Sequence, residues 1–354
     1  MSQLRRRTSA AKEVEVDGPG EMCYGSPMQN FDLLTPHVVA QAVEEAYDLR
    51  TDGTISALSS YVNRVYALTD EEGTSYVAKF YRPGRWSREA ILEEHDLVLE
   101  CAAADLPVVA PIISPDGSTL ETVIAADEER ETEFACALYP KRAGRNFDAE
   151  RDEDLLRLGS LVGRLHAVAE RKVASHRLQC SPGASTTLFL DELREVVHPD
   201  VREEFFEVAA DALERITPLF AGASNMRIHG DCHRGNILDR GAEGLLLIDF
   251  DDMMMGPPVQ DLWLLLPDRA HKSRRELALI LEGYEQFHSF ERATLALIEP
   301  LRLMRMIYYL AWSARQRDDR RFRESHPDWG TRAFWLKEIE DLRDQIRAME
   351  QGSD

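Results

Sequence analysis

Apolar positions recur at helical spacing in TPHVVAQAVEEAY (35–47): Val39, Val43 and Ala46 share a face, Thr35 stands where an N-cap belongs and Pro36 in the first turn. The period then shortens. VNRVYALTDEEGTSYVAKFYRP alternates around a central EEG turn and predicts a β-hairpin. SREAILEEHDLVLECAAADL (87–106) predicts a long helix, and PVVAPIISPDG and ETVIAADEERETEFACALYP predict further short strands, with the acid-rich DEERE (127–131) as a solvated hairpin tip. After Tyr139-Pro140 the texture changes. DLLRLGSLVGRLHAVAE (154–170) carries one stripe of Leu155, Leu158, Leu161, Val162 and Leu165, and REEFFEVAADALERI, LIEPLRLMRMIYYLAWSARQ (297–316) and WLKEIEDLRDQIRAMEQ (335–351) are also helical. Strands with one helix, followed by mostly helices around a small β insertion, predict an α+β fold. The domains expected are a flexible, aperiodic polar tail over 1–30, a β-rich N-lobe over 31–140, and a helical C-lobe over 141–354.

Two acid clusters interrupt the apolar runs of the second region. IHGDCHRGNIL (228–238) places Asp231 five positions before Asn236 across a turn containing Gly235, and LLLIDFDD places Asp249 13 residues after Asn236, at the end of a strand. Either alone reads as a turn or a capped strand end. Together they have the spacing of a protein-kinase catalytic loop followed by its metal-binding Asp. Mg²⁺ takes hard oxygen ligands from one or two side chains, with phosphates and water completing the shell, and Asn236 and Asp249 supply such oxygens. A carboxylate near the transferring phosphate, here Asp231, accepts the hydroxyl proton and orients the attacking oxygen. A phosphate site also needs a cation, and YVAKFYRP puts Lys79 among apolar Val77, Ala78 and Phe80. Outward-facing strand lysine is the bland alternative; the functional one is a contact to the phosphates of ATP, held by a helix carboxylate. Of Glu93 and Glu94 one faces the lysine, and Glu94 is favoured because Leu97 and Val98, one turn on, look core-facing. No GxGxxG precedes these residues, but Ser59 and Ser60 can form a tight turn with backbone N–H groups over phosphates.

Bulk properties narrow the partners. A net charge of −21 argues against general nucleic-acid binding and against an anionic membrane surface. It leaves room for a local basic pocket. The five cysteines show no metal spacing and read as reduced thiols, and the basic N-terminus is followed by no apolar stretch of a secretory signal, so a cytoplasmic location is expected.

HGDCHRGNIL, IDFDD and GPPVQDLW resemble the aminoglycoside phosphotransferase and choline kinase-like group, relatives of the protein kinases. More closely, LSSYVNRVY, VAKFYRPGRW, ILEEH, PPVQDLWLLL and IEPLRLMRMIYYLAW resemble the bacterial stress response kinase A family, in order from about residue 58 to 313. The resemblance implies a bilobal protein-kinase-like fold, ATP and Mg²⁺ as cofactors, phosphorylation of protein Ser and Thr, and a cytoplasmic role in stress survival. Carried over by position, it makes Asp231 the catalytic base, Asn236 and Asp249 the Mg²⁺ ligands, Ser60 a phosphate-loop contact, and Leu138, Tyr139 and Lys141 part of the hinge that meets adenine. The tail has no counterpart. His233 stands where protein kinases usually carry Lys two after the Asp, as in the small-molecule branch, and FDDMMMGPP (250–258) is too short for an activation segment with a phosphosite. A kinase that needs no activation-loop phosphorylation is therefore expected.

The alternative substrate is a small-molecule alcohol such as an aminoglycoside, choline or homoserine, which an acidic C-lobe suits if the alcohol is cationic; a nucleotide-binding regulator without turnover is a third reading. A monomer is expected. Asp261 reads either as a helix N-terminal acid or as support for the catalytic-loop backbone. Asp251 or Asp252 can reach a second Mg²⁺ or stay solvated. His229 reads as structural, Cys232 as a buried side chain or a redox sensor, and RRRTS (5–9) as a plain basic tail or a phosphosite. Trp263, Trp312, Tyr308 and Tyr309 read as core.

Overall fold

The computed structural model describes residues 3–5, 31–60 and 62–351. The chain divides into two compact units, one formed by residues 1–102 and 108–143, the other by 103–107 and 144–354.

The first unit is built on an antiparallel sheet. Its strands are β1 (Gln3–Arg5), β2 (Thr51–Leu58), β3 (Arg64–Asp70), β4 (Ser75–Phe80), β5 (Glu121–Ala126) and β6 (Glu131–Pro140), in the order β1-β5-β6-β4-β3-β2. Two helices accompany it, α1 (Pro36–Tyr47) and α2 (Arg88–Ala103). The α1 cap is as the sequence predicts: Thr35 Oγ1 accepts from the Val38 N–H at 3.3 Å. The β3–β4 turn is closed by Asp70, whose carboxylate accepts from the N–H groups of Glu72 and Thr74 and from the Tyr76 hydroxyl. Val39, Val43, Leu68, Phe80, Phe134 and Leu138 pack into the core between α1 and the sheet.

Two expectations need correction here. PVVAPIISPDG forms no named strand: Pro107, Pro111 and Pro115 remove donors at regular intervals, Val108 makes one isolated bridge, and the Ile112 N–H donates to the Leu138 carbonyl at 2.7 Å. Within the expected tail, residues 3–5 are an edge strand paired with β5. The remainder of 1–30, including the TS of RRRTS, lies outside the described residues.

The second unit carries β7 (Arg145–Asn146), α3 (Asp152–Ala169), a π-helical turn (Pro182–Thr186), α4 (Thr187–Leu193), α5 (Arg202–Ile216), β8 (Met226–Ile228), β9 (Ile237–Asp239), β10 (Leu245–Leu247), β11 (Met254–Gly256), α6 (Val259–Trp263), α7 (Arg274–Tyr284), α8 (Ile298–Gln316), α9 (Arg320–Ser325) and α10 (Arg332–Gln351). Its core joins α4, α5, α8 and α10 through Leu193, Phe205, Ile307, Leu310 and Trp335. Helices α3 and α7 approach until their backbones nearly touch. A Cβ on Gly159 would meet the Ile280 carbonyl at 1.9 Å, and one on Gly283 the Leu156 carbonyl at 2.0 Å, so only glycine permits this crossing. Trp263 is core as expected, but Tyr309 is not: it is half exposed on the outer face of α8 and stacks on Trp312 at 5.7 Å.

Two short ladders organise the loops of this unit. β8 pairs with β11 (Ile228 opposite Met254), and β9 pairs with β10 (Ile237 opposite Leu247). Residues 229–236 run from β8 to β9, and residues 248–253 run from β10 to β11. Both acid-bearing loops are thus strung between the same two ladders.

Candidate active site

In the first unit, Lys79 is the last residue but one of β4, opposite Val65 of β3 and Ala137 of β6. Its Nζ is 3.7 Å from Glu94 Oε1 on α2, with the two side chains only 11% and 3% exposed. The ammonium also sits 4.7 Å from the centre of the Tyr81 ring. Glu94, rather than half-exposed Glu93, makes the pair. The Tyr81 hydroxyl reaches Glu94 Oε1 (3.4 Å), His95 Nε2 (2.9 Å) and the Tyr139 hydroxyl (3.0 Å), so the base of the ion pair is an aromatic polar cluster. Leu138 is fully buried, with its N–H bonded to the Tyr47 hydroxyl and its carbonyl to the Ile112 N–H. These bonds commit the Leu138 backbone internally. The Lys141 N–H donates to the Ser75 carbonyl. Ser60 lies in the stretch linking β2 to β3.

In the second unit, the loop after β8 is a chain of local bonds. The Asp231 carbonyl accepts from the His233 N–H (2.8 Å) and from Asn236 Nδ2 (2.9 Å), and the Asn236 N–H donates to the His233 carbonyl. The amide nitrogen of Asn236 is thereby spent inward, which turns its oxygen away from the loop. The Asn236 carbonyl accepts from the Ile248 N–H at 3.0 Å, tying this loop to the one that carries Asp249. Asp249 stands two residues beyond β10, not on it, in a left-handed conformation (φ 63°) and exposed. Arg177, buried, donates to the carbonyls of Asp251 (2.5 Å) and Met253 (2.6 Å) and fixes the backbone that follows. Asp252 accepts from the Tyr308 hydroxyl.

The loop is anchored from within by Asp261. Its carboxylate, fully buried, accepts from the N–H groups of His229 (2.7 Å) and Gly230 (2.9 Å) and from His166 Nε2 (3.0 Å). Tyr284 completes the line by donating to His166 Nδ1 at 2.9 Å, and burial pushes its hydroxyl well above the usual tyrosine range. His229 is structural, as expected: its Nδ1 accepts from the Asp231 N–H and its Nε2 donates to the Ile248 carbonyl. Cys232 is fully buried, and burial drives its thiol far up, away from the thiolate a redox sensor needs.

The Asp231 side chain meets Arg305 of α8, Nη2 to Oδ1, at 2.6 Å, and lies 3.6 Å from His233 Nε2. Burial alone would weaken the charge on Arg305, but Asp231, Tyr308 and Asp252 outweigh it and raise its pKa. Sequence reading missed Arg305, because LIEPLRLMRMIYYLAW carries two arginines, Arg302 and Arg305, and nothing in the run singles one out. It also missed Arg177, His166 and the Tyr81–His95 pair, whose roles depend on partners distant in sequence. Lys79 and Glu94 belong to one unit, and Asp231, Asn236 and Asp249 to the other.

Residues 54–298 match the model of the phosphotransferase enzyme family. Stress response kinase A of Escherichia coli K12 is 33% identical over 328 residues, which is 91% of this chain and 95% of that protein. A serine/threonine protein kinase RdoA of Salmonella typhimurium LT2 is 34% identical over 90% of this chain and 94% of its own. Among solved structures, amicoumacin kinase hAmiN, in complex with AMP-PNP, Ca²⁺ and Ami, superposes with a TM-score of 0.69 at 20% identity, over 89% of this chain and 95% of that one. The small antiparallel sheet, the helical remainder and these likenesses agree on a protein-kinase-like α+β fold. The chain belongs to the phosphotransferase enzyme family and, within it, to the stress response kinase A family, and it is an ATP-dependent phosphotransferase.

Proposed function

We propose that this enzyme transfers the γ-phosphate of Mg²⁺-ATP to serine and threonine hydroxyls of proteins, in the cytoplasm, as part of a bacterial stress response. The single observation that carries the reading is the pair of bonded loops: Asp231 and Asn236 on one, Asp249 on the other, tied by the Ile248–Asn236 hydrogen bond. The names of the relatives support the substrate class.

The residues fit a hard divalent cation. Asn236 is oriented by its own amide nitrogen to offer oxygen, and Asp249 is exposed and directly follows Ile248, whose N–H bonds the Asn236 carbonyl. Mg²⁺ takes one or two side-chain oxygens, with phosphates and water completing its shell. A divalent cation held by Asn236 and Asp249 would neutralise charge on the phosphates. Asp231 then accepts the proton of the acceptor hydroxyl while the oxygen bonds to the γ-phosphorus and the bond to the β,γ-bridging oxygen breaks, leaving ADP. Lys79, oriented by Glu94, would bind the phosphates.

Incubation with labelled ATP and Mg²⁺, with and without casein or myelin basic protein, tests this. Label on protein that Asp231→Asn abolishes is expected. No protein label, with ATP consumed only when an alcohol such as choline is added, would move the assignment to small-molecule phosphorylation, and binding without turnover would remove catalysis from it.

A further inference from the structure

Beside Asp231, within the second unit, a pocket of ≈ 40 Å³ opens between the π-helical turn, α4 and α8. One water needs roughly 10–15 Å³, so the pocket holds a few atoms and no sugar ring. Phe189, Leu301 and Met304 form apolar walls, and Arg305 is the ionised side chain in the lining. Its bond to Asp231 uses one of the five N–H donors of the guanidinium.

Three features weigh against a cation here. An ammonium entering the pocket meets Arg305, a like charge in a partly desolvated setting. The aromatic rings that would otherwise attract it already carry guanidinium groups: Arg305 lies 4.9 Å from the Tyr308 ring centre and Arg315 lies 5.6 Å from that of Phe189. The acid beside Phe189, Glu192, is bound through both oxygens by Arg315 at 2.7 and 2.8 Å.

A fourth feature points to what the pocket accepts. Thr186, in the lining, is wholly buried, and its Oγ1 has no hydrogen-bond partner among the described residues. A buried hydroxyl left unsatisfied costs about 1–3 kcal/mol, a cost that a bound polar group removes. It sits at the end of a π-helical turn, a distortion often found at functional sites.

We propose that Arg305 and Thr186 form an acceptor subsite for a carboxylate-bearing side chain next to the phosphorylated hydroxyl, so that the substrate is a serine or threonine in an acidic stretch of polypeptide and cationic alcohols are excluded. Arg305 supplies the charge and Thr186 the hydroxyl donor. The inference rests on the protein-kinase reading above.

Steady-state kinetics with two serine peptides, identical but for Glu or Lys flanking the serine, test it in the wild type, Arg305→Gln, Arg305→Lys and Thr186→Val. The wild type should prefer the acidic peptide in kcat/KM by about tenfold or more, the scale of one favourable charge contact. Arg305→Gln should bring the ratio to about one, Arg305→Lys should retain the preference, and Thr186→Val should raise KM for the acidic peptide with kcat little changed. Equal use of both peptides by the wild type, or an equal loss on both in Arg305→Gln, would overturn the subsite while leaving protein phosphorylation standing. Phosphorylation of neither peptide, with turnover on a cationic alcohol, would overturn both. Should the Arg305 variants not fold, the wild-type preference and Thr186→Val still decide.

Discussion

Asp261 and His166 meet at 3.0 Å with neither side chain exposed to solvent. The carboxylate of Asp261 spends both oxygens on its neighbours, Oδ1 on the Gly230 N–H and Oδ2 on the His229 N–H and His166. Asp261→Asn replaces one acceptor by a donor, so at least one buried N–H is left facing another. Breaking a buried network of this kind costs about 3–5 kcal/mol. The denaturant midpoint should fall accordingly, and turnover should fall with it because the backbone leading into Asp231 loses its anchor. A variant with unchanged midpoint and unchanged kcat would contradict the anchoring role.

Gly230 makes a sharper test of loop geometry. It adopts φ 82°, and an added Cβ would meet the Asp252 carbonyl at 2.1 Å. The conformation alone costs a non-glycine residue about 1–3 kcal/mol, and the contact with a backbone atom has no flexible partner to yield. Gly230→Ala is expected to lose activity and lower the melting temperature, whereas Gly235→Ala, whose close neighbour is the His233 ring, should be milder on both measures.

Much of this arrangement is legible in the sequence, and the limits have physical causes. The helix at 36–47 and the hairpin at 64–80 follow from caps, turns and period, which are local. Lys79 stands out because a lysine amid Val77, Ala78 and Phe80 needs a partner, and Glu94 rather than Glu93 follows from which α2 face is buried. Asp261 carried two readings, and its three hydrogen bonds favour support of the loop. Arg305 and Thr186 were invisible because their meaning lies in what they touch: an arginine on α8 signifies little until Asp231, 74 residues earlier, stands 2.6 Å away. The proline-spaced PVVAPIISPDG misled because apolar content suggests a strand while missing donors forbid one.

Lys79 and Glu94 should behave as one device. If the lysine binds phosphate and the glutamate orients it, Lys79→Met and Glu94→Gln each lower kcat by about 10²–10³, the scale of removing one preorganised donor. The double variant should lose much less than the product of the two, since neither residue has a role there without the other. Fully multiplicative losses in a complete cycle would separate the two functions.

The proposed metal site makes a different demand. Asp249→Ala removes an anionic ligand, and turnover should drop below about 1% of wild type with poor rescue by added Mg²⁺, because the remaining protein ligand is a neutral amide. Asn236→Asp, which adds a negative charge but loses the Nδ2 bond to the Asp231 carbonyl, should retain metal affinity yet lower kcat through loop disorder. Titration of Mn²⁺ binding against initial rate distinguishes these outcomes; equal metal affinity in Asp249→Ala and wild type would remove Asp249 from the coordination shell.

Acid sensitivity offers a test that leaves the active site untouched. Asp154, in the first turn of α3, accepts from the Arg151 side chain and backbone N–H and lies near Arg157, and these contacts hold its carboxyl below the usual carboxylate range against the opposing effect of burial. Because the folded value is lowered, the unfolded chain binds the proton first as pH falls. The stabilisation is therefore complete above the unfolded value, near pH 4, and is lost as pH drops through the depressed folded value. Asp154→Asn should be less stable than wild type at pH 7 by about 1 kcal/mol, the worth of a capping group. The difference should shrink as pH falls through the acid range, until the two stabilities coincide once Asp154 itself is protonated. Urea unfolding of both proteins across that range measures it, and a gap that stays constant with pH would show that the aspartate contributes through packing and not through its charge.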